Sequence, residues 1–214
     1  MRHRASFGPS SRTRLRRIPR PFLVGLLLAS AGCATWNPPP PKAAEAAAAA
    51  GVYSGSLRVS VKGEDVRGRS RILVAFRRPS AVRLEIPGSA GARLVAVVRG
   101  EHLTAVFPAH RAVFEGAATP AGFDALLGVA LAPHELMDIL VGVTPPRLRS
   151  YRAGWGEHLP ERIEAVLPDG TRLKASVDDA EIGMSLPAAV FEFPPHPGYR
   201  PVDAAEARRL LGGR

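Results

Sequence analysis

The sequence predicts a mainly β protein with short helices, built on one curled antiparallel sheet. Short segments that alternate apolar and polar residues recur at intervals of about ten residues. The turns between them are too short for the crossovers of a dozen or more residues that parallel strands need. Two apolar segments with helical spacing interrupt this rhythm before it resumes. Such alternation leaves one apolar face, which a curled sheet can wrap around a core or a cavity.

The first half of the folded part has the clearest alternation of period two. Strands are predicted at 57–61, 72–76, 82–86, 94–98, 103–107 and 111–115. Gly63-Glu64-Asp65 can turn the chain between the first two. The apolar side chains of the first three strands are interpreted either as a filled core or as the wall of a cavity. These candidate wall residues are Leu57, Val59, Val61, Ile72, Val74, Phe76, Val82, Leu84 and Ile86.

Two short apolar helices are predicted in the middle of the chain. Thr119 is a candidate N-cap with Pro120 in the first turn, and Gly128 ends the segment. Pro133 opens the second helix, which ends before Gly142. Helices with one apolar stripe commonly pack against a sheet, so the alternatives are a packed layer and a mobile lid. The lid candidates are Leu126, Leu127, Leu136, Ile139 and Leu140.

The last third predicts a hairpin, a final strand and a C-terminal helix. Strands at 162–167 and 171–177 flank Pro168-Asp169-Gly170, a strong turn signal. Alternation at 190–193 predicts the last strand, and Asp203 is a candidate N-cap for the terminal helix.

The N-terminus has the three-part layout of a secretory signal. A basic region is followed by an apolar stretch at 21–31 and by the single cysteine, Cys33. The stretch is too short for a transmembrane helix, which needs about 20 apolar residues. Ser30-Ala31-Gly32-Cys33 resembles a bacterial lipobox; the alternative is an ordinary signal peptide cut nearby, with Cys33 a spectator. The resemblance implies that the Cys33 thiol is alkylated with diacylglycerol, that 1–32 are removed and that the new N-terminus is acylated, with palmitate as the expected acyl group.

The rest of the chain divides into three parts by composition. Residues 33–50 read as the acylated cysteine and a Pro/Ala-rich tether, since prolines stay extended and the alanine run is helical or disordered. A domain built on the curled sheet is predicted over 51–200, which the family resemblance given below makes a β-barrel domain, and a helical tail is predicted over 201–214. Ala34 follows the cysteine where lipoproteins retained in the inner membrane of enteric bacteria carry Asp. The prediction is therefore a lipid-anchored protein of the bacterial outer membrane, facing the periplasm.

The net charge of +10 does not indicate a nucleic-acid partner. Seven of the 29 basic residues lie before the apolar stretch and none of the 19 acidic residues does, so most of the excess belongs to the leader. A nucleic-acid surface would instead need basic residues clustered on the folded part.

No motif in the chain indicates catalysis, a cofactor or a metal. The histidines after Cys33 show no His-x-x-x-His pair, and the nucleophile elbow and the phosphate loop are both missing. Asp178, Asp179 and Glu181 form an acidic cluster that reads as a solvated loop or as a carboxylate pair. The prediction is a protein that is not an enzyme; an envelope hydrolase assembled by folding is the alternative.

The succession VRLEIPGSAGARLVAV, EHLTAVF and FDALLGVALAPHELMDILVG resembles LolB-like outer-membrane lipoproteins. The likeness covers 52–193 and depends on the order of the motifs together with the lipobox. It implies an incomplete, curled antiparallel β-barrel, closed by a helical lid, whose apolar cavity receives acyl chains of lipoproteins or lipids.

The resemblance also implies a function and partners. Members accept lipoproteins from a periplasmic carrier protein and pass them to the outer membrane, without covalent chemistry. In those proteins a large apolar residue after the proline pushes cargo into the bilayer, but the loop 87–91 holds nothing larger than Ala90. The alternative function is a non-catalytic envelope scaffold that uses the same fold to bind proteins.

Overall fold

The computed structural model describes residues 36–89, 91–193 and 195–212. The predicted signal segment 1–32, the attachment site Cys33 and Ala90 of the loop at 87–91 lie outside the described residues.

The described residues form one curled, ten-stranded sheet that does not close into a full barrel. The strands are β1 (Val52–Lys62), β2 (Arg67–Arg77), β3 (Ala81–Gly88), β4 (Gly91–Arg99), β5 (His102–Phe107), β6 (Ala112–Ala117), β7 (Ser150–Trp155), β8 (Pro160–Val166), β9 (Arg172–Ile182) and β10 (Arg200–Pro201). Their order across the sheet is β10-β6-β5-β4-β3-β2-β1-β9-β8-β7. Neighbours pair antiparallel, except that β10 runs parallel to β6. The mainly β, curled antiparallel architecture predicted from the alternation is confirmed, and so is the incomplete closure that the resemblance implies.

Four short α-helices accompany the sheet in the described residues. They are α1 (Pro41–Ala48), α2 (Pro120–Leu127), α3 (Pro133–Leu140) and α4 (Ala204–Leu210). The predicted caps of α2 and α4 are present: the Thr119 hydroxyl accepts from the Gly122 amide at 3.1 Å, and the Asp203 carboxylate accepts from the Glu206 amide at 2.8 Å. Gly128 ends α2 in the left-handed region, with φ of 70°.

Apolar and polar residues alternate along the strands because the two faces of the sheet have different surroundings. In the β1–β2 pair, Leu57 lies opposite Ile72, and both belong to the apolar cluster that α2 and α3 also join. The outer face of β4 to β6 carries a second, smaller apolar cluster of Val95, Val97, Val106 and Val113. Phe193 and Tyr199 pack against it, so the segment after β9 crosses the outside of the sheet. This explains why β4 has buried residues on both faces.

The predicted last strand at 190–193 is wrong. Residues Ala188–Phe191 form a 3₁₀ helix, and Phe191 packs beneath the Arg77 guanidinium at 5.1 Å from the ring centroid. Pro187 before the segment and two prolines after Phe193 remove backbone donors that a strand would need. No strand is predicted from the sequence at 150–155, yet β7 forms there and makes one edge of the sheet.

Both terminal segments pack onto the sheet domain. Ala47 of α1 is fully buried, and the Trp155 amide donates to the Asn37 carbonyl at 3.2 Å. In α4, Ala207 is fully buried and the Arg208 guanidinium donates to the Ala125 carbonyl at 3.1 Å. From Trp36 onwards, the segment predicted as a tether therefore belongs to the folded unit, as does the predicted tail. No helix within the described ranges is long and apolar enough to cross a membrane.

Candidate functional site

A cavity of about 920 Å³ lies between the inner face of the sheet and the helices α2 and α3. This volume is within the range of roughly 300 to 1,000 Å³ found for ligand pockets. Its wall is aliphatic, with side chains from β1, β2, β3, β8 and β9 and from both helices. The arrangement suits an elongated apolar ligand, since burying each methylene of such a ligand contributes about 0.8 kcal/mol.

Most of the predicted wall residues line this cavity. Leu57, Val59, Val61, Ile72, Val74, Leu84 and Ile86 do so, and so do all five lid candidates, Leu126, Leu127, Leu136, Ile139 and Leu140. Phe76 and Val82 do not. They lie opposite each other in β2 and β3, toward the other end of the strands, and are packed in the solid part of the core. The predicted cavity wall is thus corrected at these two positions, and the sheet covers a hollow half and a filled half.

The filled half is closed by an aromatic stack. The Tyr53 ring stacks on Phe76 with centroids 5.3 Å apart, and the Arg78 guanidinium lies 5.6 Å from the Phe76 centroid. The Tyr53 hydroxyl occupies space beside Gly55, where a Cβ would lie 2.7 Å from it. This hydroxyl has no hydrogen-bond partner among the described residues. Burial, with a smaller contribution from the Asp179 charge, raises its pKa well above the usual value.

Helix α3 is held by hydrogen bonds near both ends. The buried Glu135 carboxylate accepts from Arg147 at 2.7 and 2.8 Å, and it also accepts from the Ala132 amide at 2.8 Å. The hydrogen bonds from Arg147 lower the pKa of Glu135, outweighing the effect of burial. Near the C-terminal end, the Tyr151 hydroxyl donates to the Ile139 carbonyl at 2.9 Å. The predicted lid residues of α3 therefore lie on a helix that is anchored on two sides.

The lining of the cavity also includes residues of the β1–β2 turn, the end of α2 and the end of α4. Val66 of the turn faces Gly128, since a Cβ on that glycine would lie 3.1 Å from the Val66 side chain. Charged residues also belong to the lining. They are Glu64, Asp65, Arg67, Arg69, Arg93 and Arg208.

Sequence reasoning missed several lining residues. Ile163, Leu173 and Ala175 lie on the predicted hairpin of β8 and β9, where they alternate with polar residues. The signal was therefore present, but the alternation does not reveal that β9 pairs with β1. Val129 and Leu131, between the helices, and Leu211, after α4, follow no period that would place them on the wall.

The titratable residues weighed as alternatives do not gather in the cavity. Among the described residues, no group of three or more His, Cys, Asp or Glu is placed to hold a metal ion. Asp178 pairs with Arg58 at 2.7 Å, and its neighbours Asp179 and Glu181 border a separate pocket on the other face of the sheet. The remaining candidates, His102, His110, His134 and His158, are exposed, while His196 is half-buried beside Tyr199.

Comparison with known proteins gives similarity of fold at low sequence identity. No protein-family model and no curated protein matches the sequence. The chain is similar to a LolA superfamily protein from Nitrosomonas europaea, with 11% identity and a TM-score of 0.43, covering 71% of this chain and 95% of that one. It is also similar to a domain named for outer membrane lipoprotein sorting from Vibrio parahaemolyticus, with 8% identity and a TM-score of 0.37, covering 71% and 94%. Similarity at these scores assigns no role to this chain.

Proposed function

We propose that this domain is a non-catalytic carrier that holds acyl chains of lipids or lipoproteins in its apolar cavity. The observation that carries the proposal is the hollow of about 920 Å³ under α2 and α3, lined mainly by aliphatic side chains and partly open to solvent. A filled core would leave no such space, because protein interiors pack as densely as organic crystals and keep few voids larger than a water molecule.

The energetics of the proposal are those of hydrophobic transfer. An acyl chain that moves from water into the cavity gains about 0.8 kcal/mol for each buried methylene, so ten methylenes contribute about 8 kcal/mol before the costs of association. No bond has to form or break for this exchange. The aliphatic lining offers no fixed hydrogen-bond partner along the bound acyl chain, so the cavity can accept different acyl chains.

The proposed location is the periplasmic side of the outer membrane, with the anchor at Cys33. Its support is the sequence: the lipobox-like run before Cys33 and Ala34 after it. Within that setting, a LolB-like role in lipoprotein localisation, with a periplasmic carrier protein as donor, is the specific form of the proposal. The loop 87–91 bears no large apolar side chain, so the proposal concerns holding cargo and not driving it into the bilayer.

Lipid occupancy of the purified protein tests the proposal. We expect mass spectrometry of protein purified from membranes to find co-purifying lipid or lipoprotein, and a fluorescent fatty-acyl probe to bind the full chain with saturation. Absence of lipid together with absence of probe binding would reject the carrier. Cross-linking in cells that captured a stable protein neighbour without lipid would instead support the scaffold.

A further inference from the structure

Two neighbouring strands of the cavity wall, β2 and β3, are hydrogen-bonded to each other along only part of their length. β2 and β3 pair from Arg77–Ala81 only as far as Leu73–Glu85. Beyond that point, residues 67–72 continue along β1, and residues 86–88 continue along β4. The register therefore leaves a slit, bordered by β2 residues 67–72 on one side and by the β3–β4 hairpin on the other.

This slit opens into the cavity. Ile72 and Ile86, on its two borders next to the last β2–β3 pair, both line the hollow. Ser70 and Arg93, further along the two borders, line it as well. The side-chain hydrogen bond that joins the borders runs from the Arg93 guanidinium to the Ser70 hydroxyl at 3.5 Å, near the outer limit for such a bond. Because this hydrogen bond is weak, Arg93 can readily exchange it for a contact with another polar group.

The rim of the slit carries arginines without ion-pair partners. Arg67 and Arg69 on β2 are exposed, and neither makes an ion pair or a side-chain hydrogen bond with another described residue. Arg93, across the slit on β4, has only its long contact to Ser70 among the described residues. Glu85, at the inner end of the slit, is already paired with Arg83 at 3.2 Å. The rim thus presents guanidinium groups whose fork of donors matches the oxygens of a phosphate or a carboxylate.

We infer that the slit is a lateral entrance to the cavity and that its arginines select an amphiphile with an anionic head group. This rests on the proposed function, which supplies the acyl chains. A side opening lets the chains enter the apolar hollow while the head stays at the rim in water, so the charge is never buried without a partner. The cargo is then an acidic lipid, whose phosphate or carboxylate bridges Arg69 and Arg93, and not an uncharged acyl chain alone.

Competition binding tests this selection with the full-length protein. An uncharged fluorescent acyl probe is displaced by three monoacyl lipids of equal chain length: lysophosphatidylglycerol, lysophosphatidylcholine and monoacylglycerol. We expect the double variant Arg69→Gln/Arg93→Gln to weaken binding of the anionic lipid by about tenfold and to leave the uncharged lipid nearly unchanged. Arg99→Gln/Arg162→Gln removes the same charge from exposed positions outside the cavity lining and should have no effect.

Varying the ionic strength and adding inorganic phosphate test whether the bound anion is a lipid head group or a free phosphate ion. The anionic preference should fall as salt rises from 0.1 to 1 M, because the screening length drops from about 10 to about 3 Å. Inorganic phosphate at matched ionic strength should leave the probe bound; displacement by phosphate alone would overturn a lipid head as the ligand.

Exchange kinetics test the entrance itself. Ser70→Trp fills the slit and should slow association and dissociation of the probe together, whereas Ser70→Ala removes the contact to Arg93 and should not slow them. Rates unchanged in Ser70→Trp, provided its circular dichroism matches that of wild type, would overturn the lateral entrance. If all three lipids bind equally well, the anionic selection is wrong and the carrier stands. If no lipid and no probe binds, the carrier itself fails, and the inference fails with it.

Discussion

At the scale of single residues, two tyrosines near the core differ in how their hydroxyls are satisfied. Tyr151 donates to the Ile139 carbonyl, while the Tyr53 hydroxyl is fully buried beside Gly55 with no partner in the described part of the chain. Burial raises the pKa of both phenols well above the usual value, so both stay protonated near neutral pH. Comparing the two tyrosines therefore distinguishes the stabilisation from a buried hydrogen bond, at Tyr151, from the cost of a buried hydroxyl without a partner, at Tyr53.

Removing the hydroxyl of Tyr53 should stabilise the protein. Tyr53→Phe keeps the stack on Phe76 and deletes an unpaired polar atom, so we expect the free energy of unfolding to rise by about 1 kcal/mol. The matched variant Tyr151→Phe removes a made hydrogen bond and should lower it by about 1 kcal/mol. Urea unfolding measures both. Equal losses in the two variants would show that Tyr53 does have a partner.

Neutralising Glu135 should destabilise the anchored helix in a pH-dependent way. Glu135→Gln leaves the Arg147 guanidinium without its carboxylate, and we expect a loss of about 2 kcal/mol at neutral pH. The folded-state pKa of Glu135 lies below its ordinary value of 4.5, so its stabilisation is complete above that value and is lost as the pH falls through the lowered pKa. Urea unfolding at several pH values should show wild type and variant converging in acid. The exposed Glu101→Gln serves as control, and a difference that persisted in acid would contradict the pair's role.

At the scale of elements, alternation places side chains on the correct face but not at the correct depth. Leu57, Val59 and Val61 were predicted to face inward from their period, and they do line the cavity. Phe76 has the same period as Ile72 and Val74, yet it packs in the filled half because Tyr53 lies opposite it in the register. That pairing depends on another strand, which a local pattern does not contain.

Filling the hollow from β1 should block acyl binding without unfolding the sheet. Val59→Phe places a larger side chain in the cavity and should displace roughly two methylenes of ligand, weakening a fatty-acyl probe by about tenfold. Ser60→Phe makes a substitution of similar bulk at the next position, which does not line the cavity. Fluorescence titration compares the two. Equal affinity in both variants would place the acyl chain elsewhere.

At the scale of the whole molecule, the hollow makes stability depend on its occupant. A cavity that forms only in the folded state binds its ligand only there, so ligand stabilises the fold by mass action. Saturation with acyl probe at a hundred times its dissociation constant should raise the free energy of unfolding by about 2.7 kcal/mol. Urea unfolding with and without the probe measures this. An unchanged midpoint despite saturation would mean that the unfolded chain binds the probe equally well, against a built site.

The proposed membrane anchor predicts that attachment depends on the Cys33 thiol. Cys33→Ala in the full chain, expressed in an enteric host, should move the protein from the membrane to the soluble fraction, because the proposed anchor would lose about 0.8 kcal/mol of bilayer binding for each acyl methylene removed. Ala34→Asp keeps the thiol and should retain the protein in the inner membrane instead. Sucrose-gradient fractionation distinguishes these outcomes. Cys33→Ala protein that still pelleted with membranes would contradict the anchor.

Local patterns were sufficient for the strands from β1 to β6, the caps of α2 and α4 and the apolar character of the wall, since each depends on neighbours within a few residues. The packing of α1 on the domain, the edge strand β7 and the split between β2 and β3 depend on contacts between distant segments. Whether the inward side chains interlock or leave a hollow is also a long-range property, because it depends on how far the helices stand from the sheet. The local sequence pattern alone therefore determined an apolar inner face. The tertiary structure decided that half of this face lines a cavity with a charged rim.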